Sequence, residues 1–220
     1  YADGDGAVQY SPTRAVIEDL DSLPFPAWDL IDVEFYARSK AMSTMGRRRY
    51  MGLFTSRGCP YRCIYCHEVQ GKRFRARSPE NVLAEMQLLK KQYGIREFEV
   101  IDDIFNLDKA RMKDLLGEII ASDLDPRLHF PNALRTDLLD EEIKLLRAAG
   151  THFLCVAVET VSHRLQRMIK KRLRVERVQE NVAHAVKSGM FVNGFFMLGF
   201  PTETYEEARE TVEWAIQSPL

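Results

Sequence analysis

The sequence predicts an α/β fold, a partial and open TIM-type (β/α) barrel, on three observations. Short apolar runs alternate with amphipathic helical stretches in about five strand–helix units, a rhythm that implies a parallel sheet with right-handed crossovers. The chain has 220 residues, whereas a complete eight-unit barrel takes about 250. No GxGxxG or GxxxxGK(S/T) pattern follows the first strand, which argues against dinucleotide-binding and P-loop folds.

The elements follow in order. Residues 1–45 show no sustained period, and the proline-dense stretch 23–28 (LPFPAW) suits neither a helix nor a central strand. It reads as a connecting arm that docks by Phe25 and Trp28. Residues 51–55 form the first apolar run. A helix then starts at Ser78, a good N-cap, with Pro79 in its first turn and Val82, Leu83, Met86 and Leu89 on one face; Gly94 ends it. Residues 98–101 are the second strand, and Asp108 caps a helix carrying Met112, Leu115, Leu116 and Ile119. A weak third strand lies near 128–134, followed by a helix capped by Asp140 and closed by Gly150. Residues 153–158 are the clearest buried strand, and a helix through Val175, Val178, Val182 and Val186 ends at Gly189. The fifth strand spans 191–198. Thr204 and Glu207 then form a capping box for a last helix with Val212, Ala215 and Ile216 inward.

Composition narrows the class. Hydrophobic residues make up 45% and charged residues 29%, ordinary for a soluble globular chain. Lys plus Arg (31) nearly cancels Asp plus Glu (32), so bulk charge excludes a strongly basic nucleic-acid binder and nucleic acid is not an expected partner. No apolar run reaches the ~20 residues of a membrane span, and no signal-peptide pattern opens the chain. Four cysteines are too few for a disulfide scaffold, and three of them, Cys59, Cys63 and Cys66, crowd into eight residues. Such neighbours read as metal ligands in a reducing compartment, which makes the cytoplasm the expected location.

In parallel α/β folds, ligands bind at the carboxyl ends of the strands. Strand one ends in the cysteine loop, strand two in Asp102 and Asp103, strand three near Arg135, strand four at Glu159 and strand five at Gly199. Packing alone does not explain so consistent a rim. The C-x3-C-x2-C spacing can hold three corners of a cubane cluster, whereas a structural or electron-transfer cluster takes four thiolates. Structural zinc also wants four ligands, and His67 is a strained fourth because it adjoins Cys66. Cys155 lies inside a strand and reads as a small core hydrophobe. His129 and His152 sit at the opposite end of the sheet, and Asp137 and Asp140 read as loop and cap residues. The basic stretches at 47–49, at Lys72, Arg73, Arg75 and Arg77, and at 164–177 read first as solvated faces. The first two flank the cysteine loop, so an anionic substrate or a docking reductant is their functional alternative.

Residues 55–66 (TSRGCPYRCIYC) resemble the cluster loop of the radical S-adenosylmethionine (SAM) enzymes. Residues 71–80 (GKRFRARSPE), 98–105 (FEVIDDIF), 134–139 (LRTDLL), 156–160 (VAVET) and 194–201 (GFFMLGFP) resemble its cobalamin-binding subgroup, often grouped with the anaerobic magnesium-protoporphyrin ester cyclase. The arm at 20–30 is similar to the segment joining the cobalamin domain of those proteins to their barrel. The resemblance implies two parts: residues 1–45 as a linker from an N-terminal cobalamin domain outside this sequence, and 46–220 as a radical SAM barrel truncated at its C-terminal end.

The resemblance also implies a chemistry. Cys59, Cys63 and Cys66 would ligate a [4Fe–4S] cluster whose open iron takes the amino and carboxylate groups of SAM. Tyr65 would lie against the adenine, and Asp102 and Asp103 would stand where the family has Gly-Gly-Glu and accept from the SAM ammonium. Arg135 would pair with the SAM carboxylate or with a rim acid. Glu159 would bind a ribose hydroxyl, and the backbone from Met197 to Gly199 would meet the adenine. Pro201, Thr202 and Glu203 replace a common Pro-Gly-Glu. The implied reaction is reductive cleavage of SAM to a 5′-deoxyadenosyl radical that abstracts a substrate hydrogen, in a cobalamin-dependent methyl transfer or cyclisation. Its partners would be a small-molecule substrate, anionic if the basic stretches serve it, and a one-electron reductant such as flavodoxin or ferredoxin. A tRNA-modifying methylthiotransferase and a non-catalytic, zinc-stabilised module are the alternatives; the former would bring three further cysteines.

Overall fold

The computed structural model of the chain describes residues 4, 6, 8, 10, 14–42, 49–139 and 141–220. After the arm and a short helix α1 (Val33–Ala37) come β1 (Tyr50–Leu53), the two-residue strands β2 (Ser56–Arg57) and β3 (Arg75–Ala76), and α2 (Pro79–Tyr93). Then follow β4 (Glu97–Val100), α3 (Lys109–Ala121), β5 (Arg127–Phe130), α4 (Glu142–Ala148) and β6 (Thr151–Glu159). The chain continues through α5 (His163–Met168), α6 (Val175–Lys187), β7 (Phe191–Phe196) and α7 (Tyr205–Gln217).

The five long strands form one sheet in the order β1-β4-β5-β6-β7, and every neighbouring pair is parallel. Parallel neighbours need crossovers, and helices supply them. All five strands therefore point their carboxyl ends to the same side, and the expected rim exists as one surface. β2 and β3 pair antiparallel as a separate ribbon that frames the cysteine loop.

Local chemistry sets the helix ends. Ser78 accepts from the Asn81 amide ahead of α2, and Gly94, at φ +66°, closes that helix. Asp108 caps α3 through the Arg111 amide. Thr204 and Glu207 make the reciprocal capping box of α7. Asp140 lies outside the described residues; α4 follows Glu141 with no side-chain cap. The core is the layer where α2 and α3 meet the sheet: Val82, Met86, Leu89, Met112, Leu115 and Leu116 are all buried against it. Phe105 and Phe130 pack there with ring centres 5.0 Å apart. Each such side chain contributes on the order of 2 kcal/mol.

Two expected faces need correction. In α7 the inward residue is Thr211, with Trp214 half-buried against Phe196, while Val212 and Ile216 are exposed and Ala215 is half-buried. The polar side chain wins because its hydroxyl meets Thr160 Oγ1 and the Val161 amide; Val212, about 100° further round the helix, then faces out. In α6 the fourth inward position is Ala185, and Val186 is exposed.

The arm docks along α2. Trp28 donates Nε1–H to Glu85 Oε1 at 3.2 Å, Asp21 accepts from the Ser78 amide, and the Arg77 guanidinium lies over the Phe25 ring. Glu85, itself fully buried, also takes an ion pair from Arg77.

Candidate active site

A cavity of about 230 Å³ opens at the carboxyl ends of the strands. All three clustered cysteines line it; Cys59 and Cys63 are half-buried and Cys66 is exposed. Burial pushes the Cys59 and Cys63 thiols up, so without a metal they hold their protons, and ligation would release them. Among the described residues no group of three or more His, Cys, Asp or Glu is close enough to share one metal ion. Three thiols spread over one cavity wall suit a multi-iron cluster, in which each thiolate takes a separate corner. Cys155 does not line the cavity; it is buried within β6, and its thiol is pushed up to about 11 by that burial.

The loop that carries the cysteines is fixed at its root. Asp102 is fully buried and accepts from the Thr55 amide, the Thr55 hydroxyl and the Ser56 hydroxyl, its charge opposed by the burial that raises its pKa. It does not line the cavity, because those three donors turn it toward the end of β1. Its neighbour, at the bend that follows β4, points the other way: Asp103 lines the cavity, accepts from the Gly58 amide at 2.9 Å and faces His67 at 3.8 Å. The expected pair therefore splits into one brace and one cavity carboxylate. Gly58 has φ +84°, and a Cβ there would stand 2.2 Å from the Arg73 carbonyl oxygen. Only glycine fits.

Strand β6 delivers Glu159 in the left-handed region, at φ +68°, a conformation that costs a non-glycine residue about 1–2 kcal/mol. Its side chain is almost wholly buried and accepts from the Tyr65 hydroxyl at 3.2 Å and Lys171 Nζ at 3.1 Å. Tyr65 thereby lies in the cavity wall, and burial next to Glu159 raises its pKa far above the ordinary phenol value. Met197 and Gly199 do not line the cavity. Both are exposed past the end of β7, where the Met197 amide donates to the Glu159 carbonyl and Gly199 takes φ +85°. Thr202 stands at φ +67°, so the turn keeps the left-handed position that glycine would take, and Arg164 holds it through two bonds to Thr202.

Arg135 also lines the cavity. Its guanidinium pairs with buried Asp137 at 2.9 Å, donates to the Lys171 and Arg172 carbonyls, and stacks on Tyr61 with its carbon 4.1 Å from the ring centre. Asp137 is thus a buried counter-ion, a role beyond that of a loop residue. Sequence reasoning missed Lys171 altogether. Two left-handed residues, Lys170 (φ +57°) and Arg172 (φ +50°), turn it inward from a basic run; glycines there would have marked the turn. His129 is buried in the middle of β5, away from this cavity.

Residues 53–215 match the model of the radical SAM superfamily. An uncharacterised methyltransferase of Pyrococcus horikoshii is 32% identical over 96% of this chain and 45% of its own length. The anaerobic magnesium-protoporphyrin IX monomethyl ester cyclase of Rubrivivax gelatinosus is 28% identical over 98% of this chain and 38% of its own. Among solved structures, the radical SAM methyltransferase TsrM from Kitasatospora setae, with tryptophan and a SAM analogue bound, superposes with a TM-score of 0.71 at 26% identity, covering 84% of this chain and 35% of that one. The same enzyme with cobalamin and a [4Fe–4S] cluster gives 0.68 at 25% identity, covering 81% and 38%. The chain thus spans less than half the length of these relatives. On a match that runs from the end of β1 into α7, the chain belongs to the radical SAM superfamily, with methyltransferases and a cyclase among its relatives.

Proposed function

We propose that the protein carrying this chain cleaves SAM reductively and uses the product to abstract a hydrogen atom from a small molecule, in a cobalamin-dependent methyl transfer or cyclisation. The observation that carries the reading is convergence: three thiols from the loop after β1 and the strained Glu159 from the end of β6 face one cavity. Cys59, Cys63 and Cys66 would hold the [4Fe–4S] cluster. When bound and reduced, that cluster supplies the single electron that splits the SAM sulfonium into methionine and a 5′-deoxyadenosyl radical.

The chain's own residues bind and orient. Asp103 offers a carboxylate to the SAM ammonium, a charge-assisted contact, and Asp102 acts behind it by bracing the loop. Lys171 supplies a cation for the SAM carboxylate, with Arg135 as its neighbour. Glu159 is held to accept a ribose hydroxyl, and its backbone strain persists because Tyr65 and Lys171 fix it. Tyr65 closes the adenine side, with the Met197–Gly199 backbone behind Glu159. Positioning is the protein's main contribution where a cofactor does the difficult step.

The reading includes a cobalamin domain joined through the arm at residues 1–45, because TsrM binds both cobalamin and a [4Fe–4S] cluster. It also includes a reducing, cytoplasmic setting, which three unpaired thiols and an oxygen-sensitive cluster require. Among the described residues no helix is long and apolar enough to cross a membrane. Anaerobic reconstitution with iron and sulfide tests the core of the reading: about four irons per chain, a brown absorption that bleaches with dithionite, and 5′-deoxyadenosine on adding SAM. Cys59→Ala, Cys63→Ala and Cys66→Ala should each abolish that product. Stoichiometric zinc with no iron uptake would overturn it.

A further inference from the structure

The basic stretches that flank the cavity divide once their partners are known. Lys72 and Arg73 pair with Glu68 and Glu18, Arg77 pairs with Glu85, and Arg75 donates to the Ile17 and Gln70 carbonyls. In the run 164–177, Arg164 pairs with Glu207, Lys171 with Glu159, Arg174 with Asp137 and Arg177 with Glu180. Of the run 164–177, Arg167, Lys170 and Arg172 remain, and Arg62 of the cysteine loop joins them. All four are exposed, and no acidic partner stands against them among the described residues.

These four cations belong to two segments that are pinned together beside the cysteine loop. The Ile64 amide donates to the Ile169 carbonyl at 3.1 Å. Arg135 stacks on Tyr61 while binding the carbonyls of Lys171 and Arg172. Between them Ile64, from within the C-x3-C-x2-C loop, is 58% exposed. Lys170 and Arg172 also occupy left-handed positions where glycine or asparagine would sit with less strain. Long, unpaired, exposed cations, two of them at strained turn positions, describe a surface that meets something outside the molecule.

We infer that this collar is the docking surface for an acidic one-electron carrier protein. The inference rests on the proposed reaction, which consumes one external electron per SAM cleaved. The carrier gives that electron to the cluster and leaves oxidised by one electron; no atom is transferred. Electron carriers form small, transient interfaces, and unpaired like charge on adjoining segments speeds encounter with an oppositely charged partner without holding it tightly. The collar is also the exposed side of the loop that carries the cluster ligands, which shortens the electron's path.

The test compares two reductants on the intact, reconstituted protein and on Arg62→Gln/Arg167→Glu, two exposed side chains outside the turn that carries Lys171. With dithionite, small and independent of docking, 5′-deoxyadenosine formation should stay within about twofold of wild type. With reduced flavodoxin as the acidic probe, the rate should fall about tenfold or more, and the flavodoxin Kd at low salt should rise by a similar factor. Raising salt should slow the flavodoxin-driven reaction of the wild type much more than that of the variant. Flavodoxin-driven turnover and Kd unchanged in the variant would overturn the docking surface, as would an equal loss with both reductants. Absence of product from the wild type with dithionite would instead remove the proposed reaction, and the carrier with it.

Discussion

Gly58→Ala isolates what the cysteine loop demands of its backbone. The new Cβ would sit 2.2 Å from the Arg73 carbonyl oxygen and 3.0 Å from its carbon, where ordinary contact begins near 3.4 Å. Both groups are backbone, so no side chain can swing aside. Relief needs a shift of about 1 Å between the start of the loop and the 71–73 segment, which strains the Cys59 N–H bond to the Gly71 carbonyl. Left-handed geometry at φ +84° adds about 1–2 kcal/mol. Together the two effects put the loss at about 3 kcal/mol or more, a fall in Tm of about 6–12 °C for a chain of this size. Because Cys59 is the next residue, the displaced loop should also take up less iron. Gly71→Ala is the control. It has a similar φ, +82°, but nothing within 4 Å of the added carbon, so only the backbone cost of about 1–2 kcal/mol, about 2–8 °C, is expected, with normal iron. Thermal melts with iron and sulfide analysis on both variants decide the matter. Equal Tm and equal iron in the two would refute the argument from close approach.

Three further outcomes follow from the site. Glu159→Gln should weaken SAM binding about tenfold, measured by equilibrium dialysis, and leave iron content at the wild-type level; unchanged affinity would remove Glu159 from the cofactor's contacts. Asp102→Ala leaves a buried amide and two hydroxyls without their acceptor and should cost about 3 kcal/mol in urea unfolding, whereas Asp102→Asn, which can still accept from Thr55, should cost about 1 and keep SAM affinity. Glu207 is depressed to about 2 from an ordinary 4.5, chiefly by Arg164 and then by Ser162 and the Thr204 amide. A depressed carboxylate stabilises the fold above its ordinary pKa and loses that contribution as pH falls through its folded value. The stability gap between wild type and Glu207→Gln should therefore close between about pH 4.5 and 2, followed by urea unfolding at stepped pH.

What could be read in the sequence was what short-range chemistry determines. Ser78 with Pro79, Asp108, and Thr204 with Glu207 each announce a helix start through their own side chains, and all three hold. The rim was legible because strand ends in a parallel sheet must share a side, so Glu159 and the three cysteines could be placed together before any contact was known. Three features depend on longer-range contacts. Asp102 and Asp103 are the same residue type and differ only in which way the bend after β4 turns them. Lys171 enters the cavity because Lys170 and Arg172 adopt left-handed angles that no glycine signals. Thr211 faces inward because Thr160 and Val161, fifty residues away, offer its hydroxyl partners; an apolar pattern cannot register that. The β2–β3 ribbon has only two residues per strand, too few for alternation to show.

The cysteine loop takes its shape from the protein around it. Asp102 and Asp103 anchor its entrance, the Gly71 carbonyl holds Cys59, Arg135 stacks on Tyr61, and the Ile169 carbonyl holds Ile64. Every one of these ties is made without a metal atom. In proteins where the metal itself folds the site, losing it unravels the chain. Here hydrogen bonds between protein groups shape the loop, so its geometry is tied to the same strand ends that shape the rest of the cavity.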